Sequence, residues 1–199
     1  MNHEFKSVIH ILDNQLDNDV HFVWSLSKDF GACGFRMGIL YTQNKRLLRC
    51  LSNLNTFSGV SHPIQMITAE ILMDDEFVDQ FLSYSRIQIR KNYDICTRKL
   101  DEMVIPYIRA EAGLFVYVDF SLILAESSFE GEDMFARVVE QEAKLVMRSG
   151  EEDFDHRAGF FRLCYAWVSP EVLAIGMERL SVLILRIRRG EVIADILKQ

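Results

Sequence analysis

Apolar and β-branched residues gather at positions 20–24 and again at 37–42, with Gly31, Gly34 and Gly38 in and after the stretch between them. That pattern predicts two buried strands flanking one glycine-bearing loop. Positions 44–54 read as a short helix. Ser61, with Pro63 two places on, reads as the N-cap of a helix running to Met73. A long amphipathic stretch then covers 74–103, with Phe77, Val78, Phe81 and Leu82 on one stripe. At about 1.5 Å per residue such a helix is about 40 Å long, which suits a connector between domains. Beyond it, 104–108, 114–120 and 161–167 read as strands, 132–144 as a helix and 170–189 as a last helix. Strands and helices interleave in both halves, which predicts an α/β class with domains at 1–74 and 75–199.

Of 199 residues, 49% are hydrophobic and 26% charged, which excludes a disordered chain and a disulfide-stapled mini-scaffold. The formal charge is −7, and no basic stripe offsets it, so no nucleic-acid partner is expected. No apolar run approaches the ~20 residues that cross a bilayer, and the first 17 residues lack the apolar core of a signal peptide. A cytoplasmic protein without a membrane partner is expected. Cys33, Cys50, Cys96 and Cys164 form no Cys-x-x-Cys pair and are expected to be buried thiols in a reducing compartment. His3, His10, His21, His62 and His156 show no metal-ligand spacing, so no metal is expected. The acid-rich stretch 126–133 reads as a solvated loop ahead of a helix start.

The chemistry concentrates in the loop between the first two strands: Ser25-Leu26-Ser27-Lys28-Asp29-Phe30-Gly31-Ala32-Cys33-Gly34-Phe35-Arg36-Met37-Gly38. A lysine at the end of a buried strand can be desolvated, which lowers its pKa and makes a neutral amine available to attack an aldehyde. Lys28 stands there. Ser25 and Ser27 bring hydroxyls and Arg36 a guanidinium fork, the donors that a phosphate monoester requires. An amine and a phosphate grip in one loop suit pyridoxal 5′-phosphate (PLP). Taken singly, the lysine reads as a solvated surface charge and the arginine as an ion-pair residue. The glycines match neither the dinucleotide fingerprint nor the P-loop.

As a whole the string resembles the cofactor-lysine loop of fold type I PLP enzymes. The branch it resembles is that of class I aminotransferases similar to 1-aminocyclopropane-1-carboxylate (ACC) synthase, with Ser-x-Ser-Lys-Asp followed by Gly-x-x-Gly-x-Arg-x-Gly. The resemblance continues in His62-Pro63-Ile64-Gln65, in Asp75-Glu76-Phe77-Val78-Asp79-Gln80-Phe81-Leu82, in Ala112-Gly113-Leu114-Phe115 and in Gly159-Phe160-Phe161-Arg162-Leu163-Cys164-Tyr165-Ala166-Trp167. It implies that Lys28 carries the cofactor, that Ser25, Ser27 and Arg36 hold its phosphate, and that Arg162 binds the α-carboxylate of an amino-acid substrate. The fold it implies is a remnant of the large domain of type I PLP-dependent transferases plus the α/β C-terminal small domain.

The match covers the second half of a family member. Glu4-Phe5-Lys6-Ser7-Val8-Ile9 resembles the stretch just after the family's Asp-x-x-Tyr motif, so the aspartate that keeps the pyridine nitrogen protonated is expected to lie outside these 199 residues. Without it the cofactor is a weaker electron sink. The expectation is therefore an aminotransferase or an ACC synthase-like lyase, present as a C-terminal part and inactive alone, that works as a homodimer or with a complementing chain. The alternative is a truncated, non-catalytic relative serving as an interaction module. Two departures bear on substrate choice. Met147-Arg148-Ser149-Gly150-Glu151-Glu152-Asp153 stands where relatives have Pro-Gly before a small polar stretch, and Arg157-Ala158-Gly159 replaces Glu-Pro-Gly. Pointing inward, each acid repels a carboxylate by roughly 1 kcal/mol or more; pointing outward they form a solvated loop, the preferred reading.

Overall fold

The computed structural model describes residues 5–191, so His3 and Glu4 of the sequence argument lie outside the described residues. The chain divides into two compact units, one ending at Ser83 and the other starting at Tyr84.

The first unit opens with one helical turn, α1 (Val8–Ile11), capped by Ser7. β1 (His21–Ser25) runs directly into a second turn, α2 (Leu26–Asp29), and after a tight turn at Cys33–Phe35 the chain returns as β2 (Gly38–Thr42). The strands pair antiparallel, from His21 opposite Thr42 to Ser25 opposite Gly38. α3 (Lys45–Ser58) follows, its N-cap Asn44 accepting a hydrogen bond from the Leu47 amide at 3.0 Å. Next comes α4 (His62–Met73), with Pro63 in the first turn, where a missing N–H has no intrahelical partner to lose.

α5 (Asp75–Glu102) is a single helix of 28 residues, and the division between units falls inside it. Its first turns belong to the first unit because Phe81 stacks on Phe77 at 5.9 Å and on Phe30 at 5.3 Å.

Few side chains of the first unit are buried. Leu16 and Leu26 are, but Val23 is 72% exposed, Phe57 94% and Met73 80%. The strands expected to be buried are thus half open: a lone two-stranded ladder leaves part of its apolar surface uncovered.

The second unit holds β3 (Tyr107–Ile108), β4 (Phe115–Asp119), α6 (Phe129–Val138), β5 (Arg148–Ser149), β6 (Phe160–Cys164) and α7 (Pro170–Arg188). All pairings are antiparallel, in the order β3-β4-β6-β5. Period-two alternation sends Val116, Val118, Phe161 and Leu163 into the core with Cys96 and Leu100 of α5 and Leu180, Leu183 and Ile184 of α7. Phe120, Phe135 and Phe161 close that core with edge and tilted ring contacts of 5.2 to 5.8 Å. The alternate positions of β4 and β6, among them Phe115, Tyr117, Phe160 and Arg162, belong to the opposite face.

Three boundaries differ from the sequence expectation for local reasons. The strand at 104–108 shrinks to Tyr107–Ile108, because Val104 adopts a left-handed φ of 55° and the Ile105 amide bonds back to the Leu100 carbonyl, finishing α5. β6 stops at Cys164, because Asn92 Nδ2 donates to the Tyr165 and Val168 carbonyls at 2.8 and 2.9 Å. The helix expected at 132–144 begins at Phe129, capped by Ser128, and its end widens into a π turn over Val139–Ala143. The cysteines also differ: only Cys96 is buried, its thiol pushed up to about 12 by desolvation, while Cys33, Cys50 and Cys164 are exposed. Among the described residues no helix is long and apolar enough to cross a membrane.

Truncation of Phe120 to Ala removes the ring that joins β4 to α6 and leaves a cavity. The expected cost is about 3–5 kcal/mol, read as a lower urea midpoint at unchanged denaturant slope.

Candidate functional site

The loop from Ser25 to Gly38 is built from both ends inward. The last β1–β2 rung sets Ser25 opposite Gly38, so the two arms leave the ladder side by side. Ser25 is extended, and its Oγ accepts from the Ser27 amide at 3.4 Å, capping the α2 turn. That bond occupies an acceptor lone pair and leaves the hydroxyl proton to donate elsewhere.

Leu26 is fully buried and anchors the turn from below. Trp24 Nε1 donates to Asp29 Oδ2 at 2.5 Å, and the Phe30 ring sits edge-on to Trp24 at 6.3 Å. With 100° between successive helical residues, a buried Leu26 turns Lys28 outward. Lys28 is exposed, which corrects the expectation of a desolvated amine at the end of a buried strand: the strand end is followed by a helical turn, and that turn presents the side chain to its open face.

Arg36 ends the turn at Cys33–Phe35 in a left-handed conformation, φ 52°, and its Nη1 donates to the Cys33 carbonyl at 3.2 Å. It too is exposed, whereas Ser25 and Ser27 are half-buried. One loop thus carries an exposed amine, two hydroxyls and an exposed guanidinium, held by the ladder, the Leu26 anchor and the Trp24–Asp29 bond. This donor set fits PLP: hydroxyls and a guanidinium for a phosphate monoester and a primary amine for an aldehyde.

In the second unit, Arg162 lies on β6 opposite Tyr117 of β4 on one side and Arg148 of β5 on the other. Its guanidinium stands over the Phe115 ring at 4.7 Å from the centroid. Asp153 lies between the two arginines, with Oδ2 3.4 Å from Arg162 Nη1 and Oδ1 2.8 Å from Arg148 Nε. Of the three acids expected to face solvent, Glu151 and Glu152 are exposed, although Glu152 Oε2 also lies 3.4 Å from Arg148 Nε. Asp153 instead turns back to the sheet, because two guanidiniums on neighbouring strands need an anion between them.

The segment carrying these acids is held in ways the sequence reading missed. Glu132, placed there in a solvated stretch, is buried, with only 1% exposure. Its Oε2 accepts from the Gly159 amide at 2.5 Å and its Oε1 from the Glu151 amide at 3.2 Å. One carboxylate therefore pins both ends of the loop. Gly159 has φ +97°, and a Cβ there would come within 2.5 Å of the Ser121 backbone, so no other residue fits easily.

Between the pins, Tyr117 donates to Asp155 Oδ2 at 2.8 Å, Asp155 pairs with Arg157 at 2.9 Å, and Arg157 stacks over Phe160 at 3.9 Å. The Arg157 guanidinium and the Tyr117 hydroxyl hold the Asp155 carboxyl well below the usual carboxylate range, while desolvation and the hydrogen bond to Asp155 push the Tyr117 phenol up. The signal for Glu132 was faint but present: an acid four positions after Ser128, on the same helical face as the apolar Phe135 and Val138.

The family model described as "Aminotransferase class I and II" matches residues 1–180. A 1-aminocyclopropane-1-carboxylate synthase of Nicotiana tabacum is 36% identical over 181 residues, covering 89% of this chain and 37% of that protein. The aromatic aminotransferase of Pyrococcus horikoshii superposes with a TM-score of 0.74 at 19% identity, covering 86% of this chain and 44% of the other. An aspartate aminotransferase mutant of Thermus thermophilus gives 0.72 at 22% identity, covering 85% and 45%. The chain thus spans less than half the length of each of these proteins.

Replacing Glu132 with Ala leaves the buried Gly159 amide without its acceptor, at an expected cost of about 1–3 kcal/mol. Urea unfolding checks the loss, and faster hydrogen exchange at Gly159 locates it. Glu132→Gln keeps one carbonyl acceptor and is expected to fall between the two.

Proposed function

Because the chain belongs to the class I and II aminotransferase family, whose cofactor is PLP, we propose that it supplies the cofactor-lysine and carboxylate-binding parts of an enzyme acting on an α-amino acid. The reaction is that of an aminotransferase or of an ACC synthase-like lyase. The observation that carries this reading is the single loop in which Ser25, Ser27, Lys28 and Arg36 are gathered by the β1–β2 ladder.

The bound cofactor contributes an aldehyde and a conjugated ring that draws electrons from the carbon α to the substrate nitrogen. The protein residues have separate tasks. Ser25, Ser27 and Arg36 bind and orient the phosphate. Lys28 Nζ would hold the cofactor through its aldehyde, and as a free amine it would act as the general base for the α-proton of the bound amino acid. Arg162 holds the substrate α-carboxylate with a planar, permanently charged fork. A homodimer or a complementing chain completes the site.

A second reading, a non-catalytic interaction module, draws on the exposed apolar side chains of the first unit, among them Val23, Phe57 and Met73. In that case Lys28 and Arg36 have no ligand to hold.

The two readings separate in a thermal-shift titration with PLP. The enzyme reading predicts a rise in Tm with added PLP, since a ligand bound only by the native state stabilises it by mass action. At a hundredfold excess over Kd the gain is about 2.7 kcal/mol. Lys28→Ala is expected to remove most of it and Arg36→Ala to shift the titration to higher PLP. No rise in the parent chain contradicts the enzyme reading.

A further inference from the structure

We propose that Asp153 is a built-in occupant of the Arg162 guanidinium and sets how strongly that arginine takes a ligand carboxylate. The inference rests on the reading of Arg162 as a carboxylate-binding residue and adds what controls it. Phe115 covers one face of the Arg162 guanidinium, leaving its N–H edge as the part that can meet a planar anion. Among the described residues, the carboxylate within ion-pair distance of that edge is the chain's own, Asp153 at 3.4 Å.

Asp153 is not there by chance of a loose loop. Its amide donates to the Gly150 carbonyl at 2.9 Å, as does that of Asp155, which fixes the turn at Glu151–Asp153. Glu132 fixes the loop's two ends, and the Tyr117–Asp155 bond fixes the segment just beyond the turn. The carboxylate is therefore delivered to the sheet by a braced segment.

Its two contacts are unequal. The closer, at 2.8 Å, goes to Arg148, and the longer, at 3.4 Å, to Arg162, whose side chain is 35% exposed. A long, partly exposed pair is weak and exchangeable. An incoming carboxylate thus meets a guanidinium that is reachable but already partly neutralised, and binds by drawing Arg162 away from Asp153, which keeps Arg148 as its partner. Removing the Asp153 charge frees Arg162 for the ligand. If Asp153 served only to separate two like charges, its loss would weaken the fold and gain nothing in binding.

The test titrates the full 199-residue chain with L-alanine at constant ionic strength, following the Arg162 Nε–Hε signal by nitrogen-15 NMR. Asp153→Asn is expected to lower the half-saturating concentration about fivefold relative to the parent, the scale of one partly exposed ion pair. Adding Arg162→Gln to that variant is expected to abolish the saturable response of the neighbouring β6 amides. Asp153→Ser, titrated in the same way, replaces the Asn variant should that one fail to fold. Equal half-saturation in parent and Asp153 variants overturns the inference and leaves the carboxylate reading of Arg162 standing. No saturation in either Asp153 variant overturns both.

Discussion

The rung that sets Ser25 opposite Gly38 is the constraint on which the first unit's chemistry depends. Thirteen peptide bonds separate these residues along the chain, yet the ladder fixes both ends of the intervening loop. Within it, the buried Leu26 and the Trp24–Asp29 hydrogen bond leave α2 a single orientation. The exposure of Lys28 follows from that orientation. A loop of this kind places an amine by packing its neighbours.

The second unit solves its positioning problem with a buried carboxyl group. Alternation along β4 and β6 puts Val116, Val118, Phe161 and Leu163 into the core and gives the other face to Tyr117 and Arg162. That face then needs a loop held over it, and Glu132 holds both loop ends through backbone amides. A buried polar group is tolerated when it is hydrogen-bonded, and here two backbone N–H groups meet the two side-chain oxygens. Asp153 and Asp155 inherit their positions from that clamp, one turned to Arg148 and Arg162, the other to Tyr117 and Arg157.

The elements whose patterning is local were legible in the sequence: the two strands about the loop, the helix opened by Pro63, the long amphipathic helix, and the alternating strands that carry Val116 and Arg162. What escaped depended on contacts remote in sequence. The α2 turn was read as plain loop because Leu26 alone gives no periodicity, and its anchoring shows only once Phe30 meets Phe81. Glu132 sits among acids; its place on the face of Phe135 and Val138 hints at burial, but its acceptor role depends on Gly159, 27 residues later. The two-residue strand at Arg148–Ser149 is too short to show alternation, so the cross-strand pairing of Arg148 with Arg162, and hence the need for Asp153, was invisible. The candidate ligand-holding residues themselves were read from the motif string, since residue type and spacing, unlike burial, are properties of the sequence.

The enzyme reading requires that Lys28, among the exposed lysines of the described residues, receives PLP. Incubation of the full chain with PLP, reduction with borohydride and mass-spectrometric mapping tests it most directly. The pyridoxyl mass is expected on the peptide that contains Lys28, well ahead of other exposed lysines such as Lys45, Lys91 and Lys144. Label spread evenly over all of them, or absent from Lys28, would contradict it.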